Sequence, residues 1–248
     1  ENMYFNVFIY KMFNASATDI SLMVSASAIT AALTTLLIGA LSDRIAKRRL
    51  LISLGYILWG FSILSFALIR MDILTKLTGS LAQAASLGVS LVILMDCVMT
   101  FFGSSANDAA FNAWLTDCGT QENRGKIEGI NSMMPLVAIL AVFGGFMAFN
   151  LDNSESWTSI FLIIGGIVIL IGIIGFFLIE DHISVNKENQ NTWLENVIYS
   201  FRPSVIKNNK LLYVVSISFA VFCISIQVFM PYLILYYEKT LGMTDYVL

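Results

Sequence analysis

Four stretches of this chain, Ile20–Leu41, Leu50–Ile69, Gly129–Leu151 and Trp157–Ile179, contain no charged residue. Each approaches the roughly 20 residues that a helix needs to cross a ~30 Å hydrocarbon core. Leu211–Tyr237 is a fifth uncharged run, long enough to tilt. Leu77–Phe111 is equally apolar but carries Asp96 and Asp108. In hydrocarbon every backbone polar group must be satisfied internally, so runs of this length admit helices and little else. The composition agrees: 12% of residues are charged against 57% hydrophobic, where a soluble domain carries about 25% charged. The expected fold class is an all-α polytopic membrane protein, a transmembrane helical bundle.

The opening residues, Asn2 to Phe13, are apolar and aromatic but too few to span. They read as the outer part of a first helix whose beginning is missing, and the chain reads as a fragment with about seven spans, the first truncated. With the spans taken in order, the connecting loops alternate sides. Loops 42–49, 115–128 and 180–210 hold Arg44, Lys47, Arg48, Arg49, Arg124, Lys126, Lys187, Arg202, Lys207 and Lys210, ten of the 14 Lys and Arg. The other side holds Lys11, Arg70, Lys76 and Lys239. Cytoplasmic loops carry the Lys/Arg excess, so these three loops are expected in the cytoplasm and the protein in the plasma membrane. A net charge of −3 gives no reason to expect nucleic acid. Cys97, Cys118 and Cys223 show no paired spacing and read as free thiols.

Topology needs cations near a helix end, but it does not need Gly39, Leu41 and Asp43 ahead of them. Gly39 can admit a neighbouring backbone. Asp43 at a helix end can accept from backbone donors or pair with a cation on another helix, which makes the loop a candidate latch between moving segments. The run Gly39-Ala-Leu41-Ser-Asp43-Arg44-Ile-Ala46-Lys47-Arg48-Arg49 resembles the signature loop between helices two and three of the major facilitator superfamily, with Ala46 where that family usually has glycine. A second stretch, AFNAWLTDCGTQENRGKIEGI (110–130), is similar to the superfamily's loop between helices four and five, with Asp117 followed by Glu122 and Arg124. The resemblance covers essentially the whole chain and implies a secondary transporter working by alternating access.

An internal repeat fits that expectation. Residues 10–22 lie over 236–248 without a gap, matching Tyr10 with Tyr236, Thr18 with Thr244 and Asp19 with Asp245. Superfamily transporters consist of two six-helix halves related as parallel repeats. The expected organisation is an N-terminal transmembrane half over 1–179, a cytoplasmic linker over 180–210, and the start of a C-terminal half over 211–248. In the linker, Trp193, Leu194, Val197, Ile198 and Phe201 recur at helical spacing and predict a short amphipathic helix. His182, the sole histidine, stands at its edge as a solvated side chain.

Asp96 is the candidate for chemistry. An ionisable group inside a span costs about 2.5–3.5 kcal/mol on insertion scales and normally faces the bundle interior or a water-filled cavity. At 100° per residue, Thr100, Gly103 and Asn107 share its face as one polar stripe. Such an aspartate can carry a proton or pair with a cationic substrate; it can also act as interhelical glue. Asp108 and Asn112 point away from it. The surrounding NDAAFNAW is similar to the fourth-helix end of the glycoside–pentoside–hexuronide cation symporters. That branch carries an acidic pair in helix two, whereas Ile20–Leu41 offers only Ser and Thr. The resemblance also nominates Asn6 and Tyr10 on the first span and Gln227, Tyr232 and Tyr236 on the seventh, where Pro231 breaks the ladder.

The expected activity is secondary transport of a small solute coupled to a proton or cation, with import of a sugar-like compound ahead of export of amphipathic drugs. A non-transporting sensor or scaffold on the same fold stays open. An enzyme is not expected, because nucleophile, base and metal-ligand spacings such as H-E-x-x-H are missing. No metal and no cofactor is expected. The expected partners are the substrate, the coupling ion and the bilayer, with the protein a monomer.

Overall fold

The computed structural model describes residues 2–45, 47–120, 122–146, 149–181, 199, 202–233, 236–237 and 240–242. The expected amphipathic stretch (Trp193, Leu194, Val197, Ile198, Phe201), His182, Thr244 and Asp245 lie outside them. The described residues are helical, with no strand among them. The helices are α1 (Asn2–Phe13), α2 (Ala17–Ile45), α3 (Arg48–Phe66), α4 (Met71–Thr78) and α5 (Leu81–Gly103). A π-helical segment (Ser104–Phe111) continues α5 directly into α6 (Asn112–Cys118). There follow α7 (Arg124–Phe146), α8 (Ser154–Leu178), α9 (Pro203–Asn208) and α10 (Lys210–Phe229), which ends in a 3₁₀ turn, Met230–Tyr232.

Among the described residues six helices are long and apolar enough to cross a membrane: Ala17–Ser42, Arg48–Phe66, Leu81–Cys118, Arg124–Phe146, Ser154–Leu178 and Lys210–Tyr232. Helix α1 has 12 residues, about 18 Å, and does not span by itself. Three expected boundaries move. The loop placed at 42–49 is largely helical, because α2 runs on to Ile45 and α3 starts at Arg48. Charged residues end a hydrophobic run, but Arg and Lys are good helix formers and the helix continues into the interface. The fourth span likewise runs to Cys118, not to Phe111. Leu77 does not belong to that span. It lies in α4, closed off by Gly79 at φ 71° with its N–H on the Thr75 carbonyl, the left-handed C-cap that glycine adopts without strain.

The chain divides into two compact units, one of residues 1–7 with 185–247, the other of residues 8–184. In the larger unit, α3 and α8 pack antiparallel at backbone distance. A Cβ added to Gly60 would come within 2.8 Å of the Gly165 carbonyl oxygen, and one on Gly172 within 2.9 Å of Ser53 O. Without a hydrophobic drive between helices in lipid, such close contact through small residues is what holds spans together. At one end of this pair Phe8, Phe13, Phe66, Trp157 and Phe161 form an aromatic cluster. The Phe8 ring lies 4.9 Å from Phe161 and 5.2 Å from Trp157. Helix α2 begins with a reciprocal cap beside it: Ser16 N–H donates to Asp19 Oδ2 (2.8 Å) and Asp19 N–H to Ser16 Oγ (3.2 Å). Outward faces carry Leu33, Leu140, Leu170 and Phe177 in the open, a surface suited to acyl chains.

Candidate functional site

The cation-rich end of the larger unit is a clasp. Arg48 opens α3 and is 6% exposed. Its Nε donates to Asp117 Oδ2 at 2.6 Å and its Nη1 to Ser42 Oγ at 3.2 Å, joining α2, α3 and α6. The start of α3 has no side-chain cap from Lys47. Asp181, 132 positions away, supplies one: its Oδ1 accepts from the Arg49 N–H at 2.9 Å. A carboxylate there also meets the positive end of the helix dipole. Trp114 Nε1 donates to the Glu180 carbonyl at 3.1 Å. Lys47, Arg49 and Arg124 are exposed. The side chains of Asp43 and Arg44 lie outside those described. Around Gly39 a Cβ would meet nothing within 4 Å among the described residues, so the close backbone approach expected there occurs instead at Gly60, Gly165 and Gly172.

The polar residues of the fourth span do not form one stripe. Asp96 is buried, 2% exposed, in register with Gly88 and Gly103 on the face where Gly88 abuts Phe13 and Gly103 abuts Trp59. Thr100 shares a 2.7 Å hydrogen bond with Ser27 of α2. Asn107 turns to α3, its Oδ1 accepting from the Tyr56 hydroxyl at 2.9 Å. Thr100 departs from the expected stripe toward α2 while the helix is still regular, and from Ser104 the backbone is π-helical. Bonds from i to i+5 turn the chain by less than 100° per residue. Asp108 is exposed, accepts from Asn107 Nδ2 at 3.1 Å, and its carbonyl accepts from Asn112 Nδ2 at 3.3 Å.

Ser27 stands ten residues after Ala17, roughly 15 Å along α2. Asp96 lies one turn before Thr100, about 22 Å from the start of the Leu81–Cys118 helix. In the smaller unit, Asn6 is fully buried and donates through Nδ2 to the Pro231 carbonyl at 3.0 Å. Pro231 stands in the 3₁₀ turn that closes α10, and Asn6 Oδ1 has no partner among the described residues. Gln227 is exposed, Tyr232 half-buried and Tyr236 exposed. Tyr10, in the larger unit, is half-buried. Sequence reading missed Ser42, six positions from Arg48, and also Ser27, Tyr56, Glu180 and Asp181, which are brought in by contacts across 51 to 132 positions.

Among the described residues, six helices long and apolar enough to cross a membrane, with a clasped cation-rich end, define the class: a multi-pass helical membrane protein. The family model described as Major Facilitator Superfamily matches residues 2–248, and the chain belongs to that superfamily. No curated protein and no solved structure matches it.

Proposed function

We propose that this transporter moves a small sugar-like solute across the plasma membrane by alternating access, driven by a proton or cation gradient, with Asp96 as the coupling carboxylate. The observation that carries this reading is the near-complete burial of Asp96 within a span. A carboxylate kept in so apolar a place at several kcal/mol of cost suits a group that gains and loses a proton during a cycle. Asn6, with one buried amide oxygen open to a ligand, Tyr10, Asp108, Gln227, Tyr232 and Tyr236 would contact the solute, and the Arg48–Asp117 clasp would hold one conformational state. The 1–179, 180–210 and 211–248 division belongs to the same reading.

The test is uptake of radiolabelled hexoses and pentoses into proteoliposomes under an imposed proton or sodium gradient. Asp96→Asn keeps the size and removes titration. It is expected to abolish accumulation against the gradient while leaving solute exchange partly intact and the melting temperature unchanged or raised. Full accumulation by the Asn variant would remove Asp96 from the coupling step. Loss of folding would assign it to interhelical glue. Efflux of an amphipathic dye without sugar uptake would replace the substrate class.

A further inference from the structure

The geometry points to Tyr56 as the positioning residue for Asp108: its hydroxyl fixes the Asn107 amide so that the amide N–H aims the exposed Asp108 carboxylate at solute. This rests on the reading of Asp108 as a solute-contacting group.

The π-helical segment is where the backbone departs from the regular helix, and such segments occur frequently at functional sites. Here α3 wedges it in place. A Cβ on Gly55 would lie 2.7 Å from Ala106 Cβ, and one on Gly103, at the start of the segment, 3.0 Å from the Trp59 ring. Tyr56 lies between these two contacts in sequence, and its ring meets Trp59 edge-on with centroids 5.5 Å apart. That ring packing sets the direction of the hydroxyl.

An amide presents an acceptor on one side and two donors on the other. Because Tyr56 donates to Asn107 Oδ1 (2.9 Å), the NH₂ must face the other way, where it donates to Asp108 Oδ1 (3.1 Å). Without the hydroxyl the amide can flip, which would turn its oxygen toward the carboxylate and repel it. Asp108 Oδ1 already accepts one hydrogen bond, which leaves Oδ2 and the remaining lone pair of Oδ1 for a solute hydroxyl or ammonium. Tyr56 thus acts on solute through two intermediaries and touches none itself.

Tyr56→Phe keeps the ring contact with Trp59 and deletes one donor. Hexose uptake by the reconstituted full chain should show KM raised about tenfold, the scale of one hydrogen bond to a charged group. Maximal rate and melting temperature should stay near wild type. Asp108→Asn should raise KM at least as far, and adding Tyr56→Phe to Asp108→Asn should raise it no further. A Tyr56→Phe effect that persists in full on the Asp108→Asn background would overturn the inference, as would a fall in melting temperature with KM unchanged. If Asp108→Asn alone leaves KM unchanged, the reading of Asp108 as a solute contact fails and the inference falls with it. An effect of Asp108→Asn with none from Tyr56→Phe sinks the inference alone.

Discussion

Arg48 stands in a run of cations, Arg44, Lys47, Arg48 and Arg49, yet it is buried while Lys47 and Arg49 are exposed. Burial of a charge is tolerable only with partners, and Asp117 and Ser42 provide them. The aspartate is one-third exposed, so water screens part of the attraction and the pair belongs toward the low end of charged hydrogen bonds, about 1–2 kcal/mol. A double-mutant cycle with Arg48→Met and Asp117→Asn, read by thermal unfolding in detergent, should return a coupling of that size. Simple additivity would leave the pair without an energetic role. The cation run was legible in the sequence; which member turns inward was not. Neighbours along the chain do not reveal Asp117 or Asp181, which arrive across 69 and 132 positions.

Elements were legible where the solvent dictates them. A run of about 20 uncharged residues leaves the backbone one way to satisfy itself in hydrocarbon, and five such runs became crossing helices. What interrupts or joins helices was less visible. Ser104–Phe111 reads SSANDAAF, with no glycine or proline to mark a π segment, so its register could not be foreseen. Nor does sequence tell which glycines face a partner. Gly165 and Gly166 are adjacent in α8, yet a Cβ on the first would clash with Leu64 and Gly60 of α3 while one on the second meets nothing. Gly165→Leu should therefore lower the melting temperature, the overpacking cost being roughly 1–3 kcal/mol or more. Gly166→Leu should leave it unchanged or raise it, because leucine favours a helix interior over glycine by nearly 1 kcal/mol. Equal destabilisation by both would mean that α3 and α8 do not pack through this face.

For the whole molecule the decisive property is orientation, and the distribution of charge predicts it. Ten of 14 cations fall in loops of one parity, and cations are retained on the cytoplasmic side during insertion. The structure ties two of those loops, the one before α3 and the one after α6, into a clasp through Arg48 and Asp117. They must lie at the same membrane face, whichever it is. Lys76 and Glu155 belong to loops and helix starts of the opposite parity, and both are exposed, as are Lys47 and Lys126. With Cys97, Cys118 and Cys223 replaced by serine, single cysteines at these four positions report the side directly. In intact cells an impermeant maleimide should label Lys76→Cys and Glu155→Cys. Lys47→Cys and Lys126→Cys should react only after permeabilisation. The inverse pattern would reverse the orientation while keeping the bundle. Labelling that separates Lys47 from Lys126 would break the count of spans between them and, with it, the clasp.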